Sequence, residues 1–188
     1  MERSRAMQLV KTHMKNKNLI KHVYAVEAVM GALARRLGHD ETKWRLAGLL
    51  HDIGAFSVHE RLALFEFEEN ARDHADKGAC MVKLFPPLAH LSDIIHYHHE
   101  PWNDGKDIGA GQRRVPLSSH ILHLADRIIV RVKKGQEVLG QAKGICEAIR
   151  RQSGSVFMPE LVEAFLQISK REYVWLDLAY GSLLNIMP

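Results

Sequence analysis

The sequence predicts an all-α protein, and three observations carry this prediction. Apolar residues recur every three or four positions through most of the 188 residues, which is the period of an amphipathic helix. The alternation of apolar and polar residues that is typical of half-buried strands is absent. A composition of 46% hydrophobic and 26% charged residues suits an ordinary globular domain. We therefore expect a single helical bundle at 18–188, preceded by an N-terminal arm or short helix at 1–17.

The ends of the predicted helices carry residues that favour such positions. Gly38 suits the position after the first long helix, and Asp40 suits the N-cap of the next one. Asp73 is a second N-cap candidate, the Pro86-Pro87 pair should break a helix, and Pro159 fits a first helical turn. The predicted helices are 18–37, Asp40 to Gly54, 59–70, Asp73 to Phe85, 88–99, 116–134, 136–151, 159–169 and 171–184.

Two segments have properties that bear on function. Residues 100–115 contain several Gly and Pro residues and no helical period, so we expect a loop long enough to be functional. Residues 171–184 are apolar enough either to complete the core or to form the interface of a homodimer.

Composition and charge exclude several classes of protein. No charge-free stretch exceeds eleven residues, whereas a membrane-spanning helix needs roughly 20 mostly apolar residues. No apolar signal segment is visible, and the two cysteines are expected to be reduced thiols, so we predict a cytoplasmic protein. The net charge of +4 fits an anionic small-molecule partner or none. No run of Lys or Arg alternates with aromatic residues, which argues against a groove for DNA or RNA.

Several ionisable residues lie on stripes that should be buried. His22 and His98 lie among apolar neighbours at helical spacing, and so does Asp126. A single buried histidine is commonly neutral and hydrogen-bonded, but a buried carboxylate costs several kcal/mol unless it is paired or binds a metal. His123, three residues before Asp126, is a candidate donor to a ligand, although packing explains it at least as well.

Adjacent ionisable pairs favour a metal site over isolated buried histidines. His51-Asp52 and His98-His99 each fall at a predicted helix end, where two neighbouring side chains can approach one ion from different directions. Imidazole and carboxylate ligands suit zinc, iron, manganese or a similar ion, and no cysteine lies near these residues in the sequence. The seven candidate ligands, on five predicted helices, are His22, His51, Asp52, His74, His98, His99 and Asp126.

The order of these residues resembles the HD superfamily of metal-dependent phosphohydrolases, and within it the HD-GYP branch. The similar features are an early histidine, the His51–Gly54 signature, a histidine followed by a glycine, a His-His-Glu segment with Trp and Asp-Gly, and a helix that carries Ala-Asp. This resemblance spans about residues 18–170. It implies an all-α HD-domain bundle with two divalent metal ions and room for a third.

The resemblance also implies a division of the ligands. One ion would be bound by His22, His51, Asp52 and Asp126, and Asp52 would bridge to a second ion held by His74, His98 and His99. Iron or manganese is expected, and zinc, nickel, magnesium or cobalt could occupy the same ligands. Asp52 is the residue on which catalysis is predicted to depend.

Two departures from the branch leave the substrate open. Ala55 stands where the family usually has a lysine, which is expected to touch the scissile phosphate, and residues 103–114 replace the Gly-Tyr-Pro tripeptide. Lys77 and Arg127 are candidate cations for a substrate phosphate, although solvated surface charges are the commoner role. Trp102 is a candidate for stacking on a base.

These features predict a phosphodiesterase acting on a nucleotide or cyclic dinucleotide. The hydrolysis would proceed by attack of a metal-bridging hydroxide, with no side-chain nucleophile. Two alternatives stay open at this point. One is a sensor that binds metal and nucleotide without catalysis, which Ala55 favours, and the other is a di-iron oxygenase with a similar ligand set.

Overall fold

The computed structural model describes residues 2–55, 71–106, 114–133 and 135–178. Within them the fold is all-α, as predicted, with one isolated β-bridge between Ser153 and Phe157. The α-helices are α1 Glu2–His13, α2 Lys17–Leu37, α3 Glu41–Leu50, α4 Ala71–Lys83, α5 Ser92–His96, α6 Leu117–Val130, α7 Val138–Arg151, α8 Pro159–Ile168 and α9 Glu172–Leu176, and short 3₁₀-helices cover Pro86–Leu91 and Asn103–Gly105. Across these ranges, no helix has the length and apolarity needed to cross a bilayer.

Helix α2 is the central element of the bundle. The Asn16 side chain accepts hydrogen bonds from the first turn, and Gly38 ends the helix with φ of 72°, a conformation that glycine adopts without strain. The helix packs along α3, α6 and α8. Its apolar stripe, which includes Leu19, Val26 and Val29, is buried in the core, so His22 on the same stripe points inward as the periodicity predicts.

The N-terminal segment contributes to the same core. Ala6, Val10 and Met14 are buried, and α1 packs on α3. Arg3 donates to the buried carboxylate of Glu27 on α2 at 2.6 Å, which ties the two helices together. The segment at 1–17 is therefore largely a helix, of 12 residues.

Several predicted helix boundaries differ from the structure. The helix predicted from Asp40 to Gly54 ends at Leu50, and a turn follows at 51–54. Helix α4 already runs at Ala71, so Asp73 lies in the helix and is not its N-cap; there its charge still favours the first turn. The segment 88–99 is not one helix, because Pro86 and Pro87 begin a 3₁₀ turn, α5 covers only five residues, and a turn follows at 97–99. The long helix predicted at 116–134 ends at Val130.

The remaining segments are partly described. The helix predicted at 59–70 and residues 107–113 of the predicted loop lie outside the described residues. In the segment 171–184, the described part completes the core: Trp175 is 1% exposed, packs against Phe165 and donates to the Ser169 carbonyl at 2.8 Å.

Candidate metal centre

The seven candidate ligands meet in the interior of the bundle. His22 lies on α2, Asp126 on α6 and His74 on α4, whereas the two adjacent pairs lie in the turns that follow α3 and α5. All of them are buried except His99, which is partly exposed. The convergence that the periodicity could only suggest is therefore present in the fold.

One group of ligands combines imidazoles with carboxylates. His22 Nε2 lies 3.0 Å from Asp126 Oδ1 and 3.6 Å from Asp52 Oδ2. His51 Nε2 lies 3.2 Å from Asp52 Oδ1 and 3.8 Å from Asp126 Oδ1. Ligand atoms of His22, His51 and Asp52 fall within 4.8 Å of one another, which is compact enough for one ion.

The second group consists of three imidazoles. Ligand atoms of His74, His98 and His99 also lie within 4.8 Å of one another. His74 Nε2 and His99 Nε2 are 2.9 Å apart, and two nitrogens bound at right angles about 2.1 Å from one ion would lie about 3 Å apart. Asp52 Oδ1 lies 3.5 Å from His74 Nε2, so Asp52 stands between the two groups.

Backbone carbonyls orient two of the histidines. His51 Nδ1 donates to the Gly48 carbonyl at 2.8 Å, and His98 Nδ1 donates to the Ile95 carbonyl at 2.6 Å. Because a carbonyl can only accept, Nδ1 carries a proton in both rings, and Nε2 is the nitrogen whose lone pair is available when the ring is neutral. Metal-binding histidines are commonly oriented in this way.

Three buried polar atoms at the centre lack a hydrogen-bond partner. Within the described part of the chain these atoms are His51 Nε2, His98 Nε2 and Asp52 Oδ2. Buried polar atoms are normally satisfied, so three orphans at one point indicate a missing ligand. Nitrogen lone pairs and a carboxylate oxygen fit a divalent cation, so the residues present suit the metal ions that the family resemblance implies.

The electrostatics of the two groups differ. Burial alone would lower the pKa of His51, but the Asp52 and Asp126 carboxylates raise it to about 10, so this point in the protein favours a positive charge. Burial lowers the pKa of His74, and it lowers the pKa values of His98 and His99 well below the usual range. The three imidazoles are therefore neutral, which is the form that binds metal.

Gly54 and Gly78 permit the close approach of the two ligand groups. A Cβ at Gly54 would collide with the His74 carbonyl oxygen and the Gly78 backbone nitrogen, and one at Gly78 would lie 3.4 Å from the Gly54 nitrogen. The turn after α3 and helix α4 thus touch backbone to backbone, which only glycine allows. This contact brings His74 beside Asp52.

The three predicted substrate contacts occupy different settings. Lys77 is exposed on α4, three residues beyond His74. Trp102 is half-buried with its ring edge-on to His120, and backbone hydrogen bonds join residues 102–104 to 154–156. Arg127 is only 4% exposed, so a solvated surface charge is the wrong description of it. Its Nε donates to Asp126 Oδ2 at 2.8 Å, a contact that the sequence analysis missed.

His123 lies next to His99, one of the three histidines of the second ligand group. Its ring bonds the backbone of Glu100, the residue after His99, and its centroid is 6.1 Å from that of His99. Burial and the Arg127 charge lower the pKa of His123 to about 4. The ring thus supports the turn that carries His99, and it meets the His99 ring edge-on.

Comparisons with known proteins agree with this architecture. A 3′3′-cGAMP-specific phosphodiesterase of Vibrio cholerae is 27% identical over 172 residues, which cover 86% of this chain and 40% of the relative. A cyclic di-GMP phosphodiesterase of Thermotoga maritima is 30% identical over 165 residues, which cover 80% of this chain and 44% of the relative. The chain therefore spans less than half the length of these two relatives.

A solved structure shares the fold. The HD domain of the Listeria monocytogenes phosphodiesterase PgpH, in complex with cyclic-di-AMP, aligns with a TM-score of 0.57 at 17% identity over 95% of both chains. The family model described as HD domain matches residues 19–130. That match covers more than half of the sequence, and the chain therefore belongs to the HD domain family.

Proposed function

We propose that this chain is a metal-dependent phosphodiesterase that hydrolyses a nucleotide, and most specifically a cyclic dinucleotide. The observation that supports it is the convergence of seven His and Asp side chains in the interior. Three of their own buried atoms have no hydrogen-bond partner in the described ranges. HD domains bind divalent metals, and two of the relatives are named as phosphodiesterases of cyclic dinucleotides.

In this proposal the ligands divide into two sets. His22, His51 and Asp126 hold one ion, and Asp52 is shared between it and a second ion held by the imidazoles of His74, His98 and His99. Iron or manganese suits such a mixed imidazole and carboxylate set. When bound, a pair of divalent ions supplies Lewis acidity that activates water and offsets the charge of the phosphoryl group.

The chain's own residues do the remaining work. Asp52, which faces both ligand sets, would hold them at a fixed separation and so help to orient a bound phosphate. The Gly48 and Ile95 carbonyls keep the Nε2 lone pairs of His51 and His98 directed inward. The burial of six of the seven ligands excludes bulk water and strengthens electrostatic stabilisation of the phosphate.

Two surface residues are proposed as substrate contacts. Lys77 lies three residues beyond His74, which places both on neighbouring positions of one helix face, so its ammonium group would meet a phosphate near the partly exposed His99. Trp102 would offer its ring to a base. In this proposal Trp102→Ala raises KM several-fold and leaves kcat nearly unchanged, because it removes binding that substrate and transition state share.

The test is turnover by the purified protein loaded with Mn²⁺ or Fe²⁺. The substrates are bis-p-nitrophenyl phosphate, 3′3′-cGAMP, cyclic di-GMP, cyclic di-AMP and linear dinucleotides. We expect metal-dependent hydrolysis of at least one cyclic dinucleotide, its loss in His51→Ala, and its retention in the matched control His90→Ala, whose side chain is exposed.

The same experiment distinguishes the two alternatives. Tight binding of a cyclic dinucleotide with no turnover would replace the hydrolase by a sensor, for which the small buried side chain of Ala55 is the supporting observation. Oxygen consumption by the iron-loaded protein would replace it by an oxygenase. An absence of metal binding would contradict the proposal itself.

A further inference from the structure

The side chain of Arg127 turns back onto the residue directly before it. Its Nε donates to Asp126 Oδ2 at 2.8 Å, and its Nη2 donates to the same oxygen. Consecutive residues on a helix point about 100° apart and normally do not meet. A buried guanidinium, here 4% exposed, is costly unless it is paired, and Asp126 is one of its partners.

The contact leaves Asp126 with one available oxygen. Oδ1 faces the cluster, 3.0 Å from His22 Nε2 and 3.8 Å from His51 Nε2. A free carboxylate can bind an ion through either oxygen or through both. With Oδ2 occupied by two N–H groups, the carboxylate plane is set and only Oδ1 can reach the centre.

Arg127 is itself held from the next turn of α6. Arg131 Nη1 donates to the Arg127 carbonyl at 2.9 Å, and Arg131 Nη2 donates to Gln152 Oε1 at 3.1 Å. Gln152 follows the last residue of α7, so the turn of α6 that carries Asp126 and Arg127 is tied to a second helix. The backbone that carries the Arg127 side chain is therefore held in place by these hydrogen bonds.

The other carboxylate of the cluster has no such restraint. Asp52 Oδ2 is buried without a hydrogen-bond partner among the described residues, and Asp52 Oδ1 faces His51 and His74. Both oxygens of Asp52 thus face ligand nitrogens, as a bridging residue requires. Asp126 presents one oxygen to one set of ligands.

We propose that Arg127 is a positioning residue, which makes Asp126 a monodentate ligand of the metal ion that His22 and His51 also hold. The inference rests on the two-ion centre of the proposed function and goes beyond it, since it assigns Arg127 to a ligand and not to the substrate phosphate. Arg127 also has an unfavourable effect on metal affinity, because its positive charge repels a metal cation. The proposal requires that the fixed orientation outweighs this repulsion.

The experiment compares three variants of the full chain. Arg127→Met removes the N–H groups and the charge, and Arg127→Lys keeps the charge but loses the fork that grips one carboxylate. The matched control is Lys133→Met, which removes one positive charge from an exposed side chain just after α6. Metal-free proteins are titrated with Co²⁺ against a competing chelator, the visible spectrum of bound Co²⁺ is recorded, and folding is checked by circular dichroism.

We expect Arg127→Met to weaken one Co²⁺-binding step by about 10 to 100-fold, the range typical of residues that orient a metal ligand. The other step and the Lys133→Met control should stay within about twofold. Arg127→Lys should fall between wild type and Arg127→Met. The spectrum of the weakened site should change, because the carboxylate is free to bind through its other oxygen.

Several outcomes would overturn the inference. Unchanged or tighter Co²⁺ binding in Arg127→Met would show that repulsion dominates, and equal weakening of both steps would indicate general loss of structure. If Arg127→Met does not fold, Arg127→Lys decides, because an affinity equal to wild type would show that charge alone matters. Wild-type protein that binds no Co²⁺ would end the proposed function, which is a separate result from two-ion binding that ignores Arg127.

Discussion

The two halves of the candidate metal centre are built from different chemistry. The carboxylate half, which comprises His22, His51, Asp52 and Asp126, collects its ligands from α2, α6 and the turn after α3. The imidazole half, which comprises His74, His98 and His99, takes them from α4 and from the turn after the five-residue helix α5. Two of the four candidate ligands in the carboxylate half thus lie on long helices, whereas two of the three in the imidazole half lie in a turn.

Charge separates the halves further. Carboxylates raise the pKa of His51 to about 10, which marks a negative potential, whereas burial holds the pKa values of His98 and His99 well below the usual range. Among the described residues, the imidazole half has no carboxylate except the shared Asp52. We therefore expect the carboxylate half to bind its ion more tightly and the imidazole half to exchange its ion more readily.

The largest effect is expected from the residue that both halves share. Within the described ranges, Asp52→Asn removes the one carboxylate beside the imidazole half and one of two in the carboxylate half. Phosphodiesterase kcat/KM should fall by about 10² to 10³-fold or more, the range seen when one electrostatic stabiliser is removed. Metal content should fall from two ions to one or fewer, measured by elemental emission.

The control for this change is Asp93→Asn, whose side chain is exposed on α5. It removes the same charge outside the cluster and should keep both ions and the activity. Retention of two ions by Asp52→Asn would contradict the bridging role.

Substitution of a single histidine should also remove the ion of one half and leave the ion of the other. His74→Ala removes a ligand of the imidazole half only, so metal content should fall from two ions toward one while the carboxylate half stays occupied. Elemental emission after brief dialysis measures this, with His90→Ala as the control at an exposed position. Loss of both ions together would show that the halves bind cooperatively and not independently.

The backbone contact between the halves offers a third test. Gly54→Ala places a methyl group against the His74 carbonyl and the Gly78 nitrogen, so α4 must move away from the turn that carries His51 and Asp52. Overpacking of this kind costs about 1–3 kcal/mol in free energy of unfolding. We expect that loss in urea titrations, together with weaker metal binding in the imidazole half.

The matched control is Gly144→Ala in the middle of α7, where an added Cβ meets no atom within 4 Å. This change should raise the free energy of unfolding by about 0.5–1 kcal/mol, because alanine is the better helix former. Equal effects at the two glycines would refute the close approach at Gly54.

The smallest effect concerns acid stability beneath the imidazole half. The pKa of His123 is lowered to about 4 in the folded chain, against about 6.5 unfolded. Between these values the unfolded chain binds the extra proton, so the free energy of unfolding contributed by this group falls as the pH falls. His123→Gln should reduce the slope of stability against pH by up to about 1 kcal/mol per pH unit.

Urea titrations of the metal-free protein between pH 4.5 and 6.5 measure this slope. The exposed His90→Gln is the control and should leave the slope unchanged. Parallel stability curves for wild type and His123→Gln would show that His123 has the same pKa in the folded and unfolded chains.

The amino-acid sequence by itself determined which residues turn inward. The helical period placed His22 and Asp126 on the buried stripes of α2 and α6, and both are buried at the centre. A local signal of this kind works because a helix has a fixed period and a buried face. The order of motifs identified the family for the same reason, since the ligands recur in one sequence order along those helices.

Only the tertiary structure decided how the ligands are oriented. The turn at 97–99 that carries His98 lies where the sequence predicts a helix, since the helix Ser92–His96 ends after five residues. The backbone contact of Gly54 with α4 and the turn of Arg127 onto Asp126 depend on packing between elements far apart in the chain. Helical periodicity reports which face of an element is buried, but distances between ligand atoms depend on how separate elements pack.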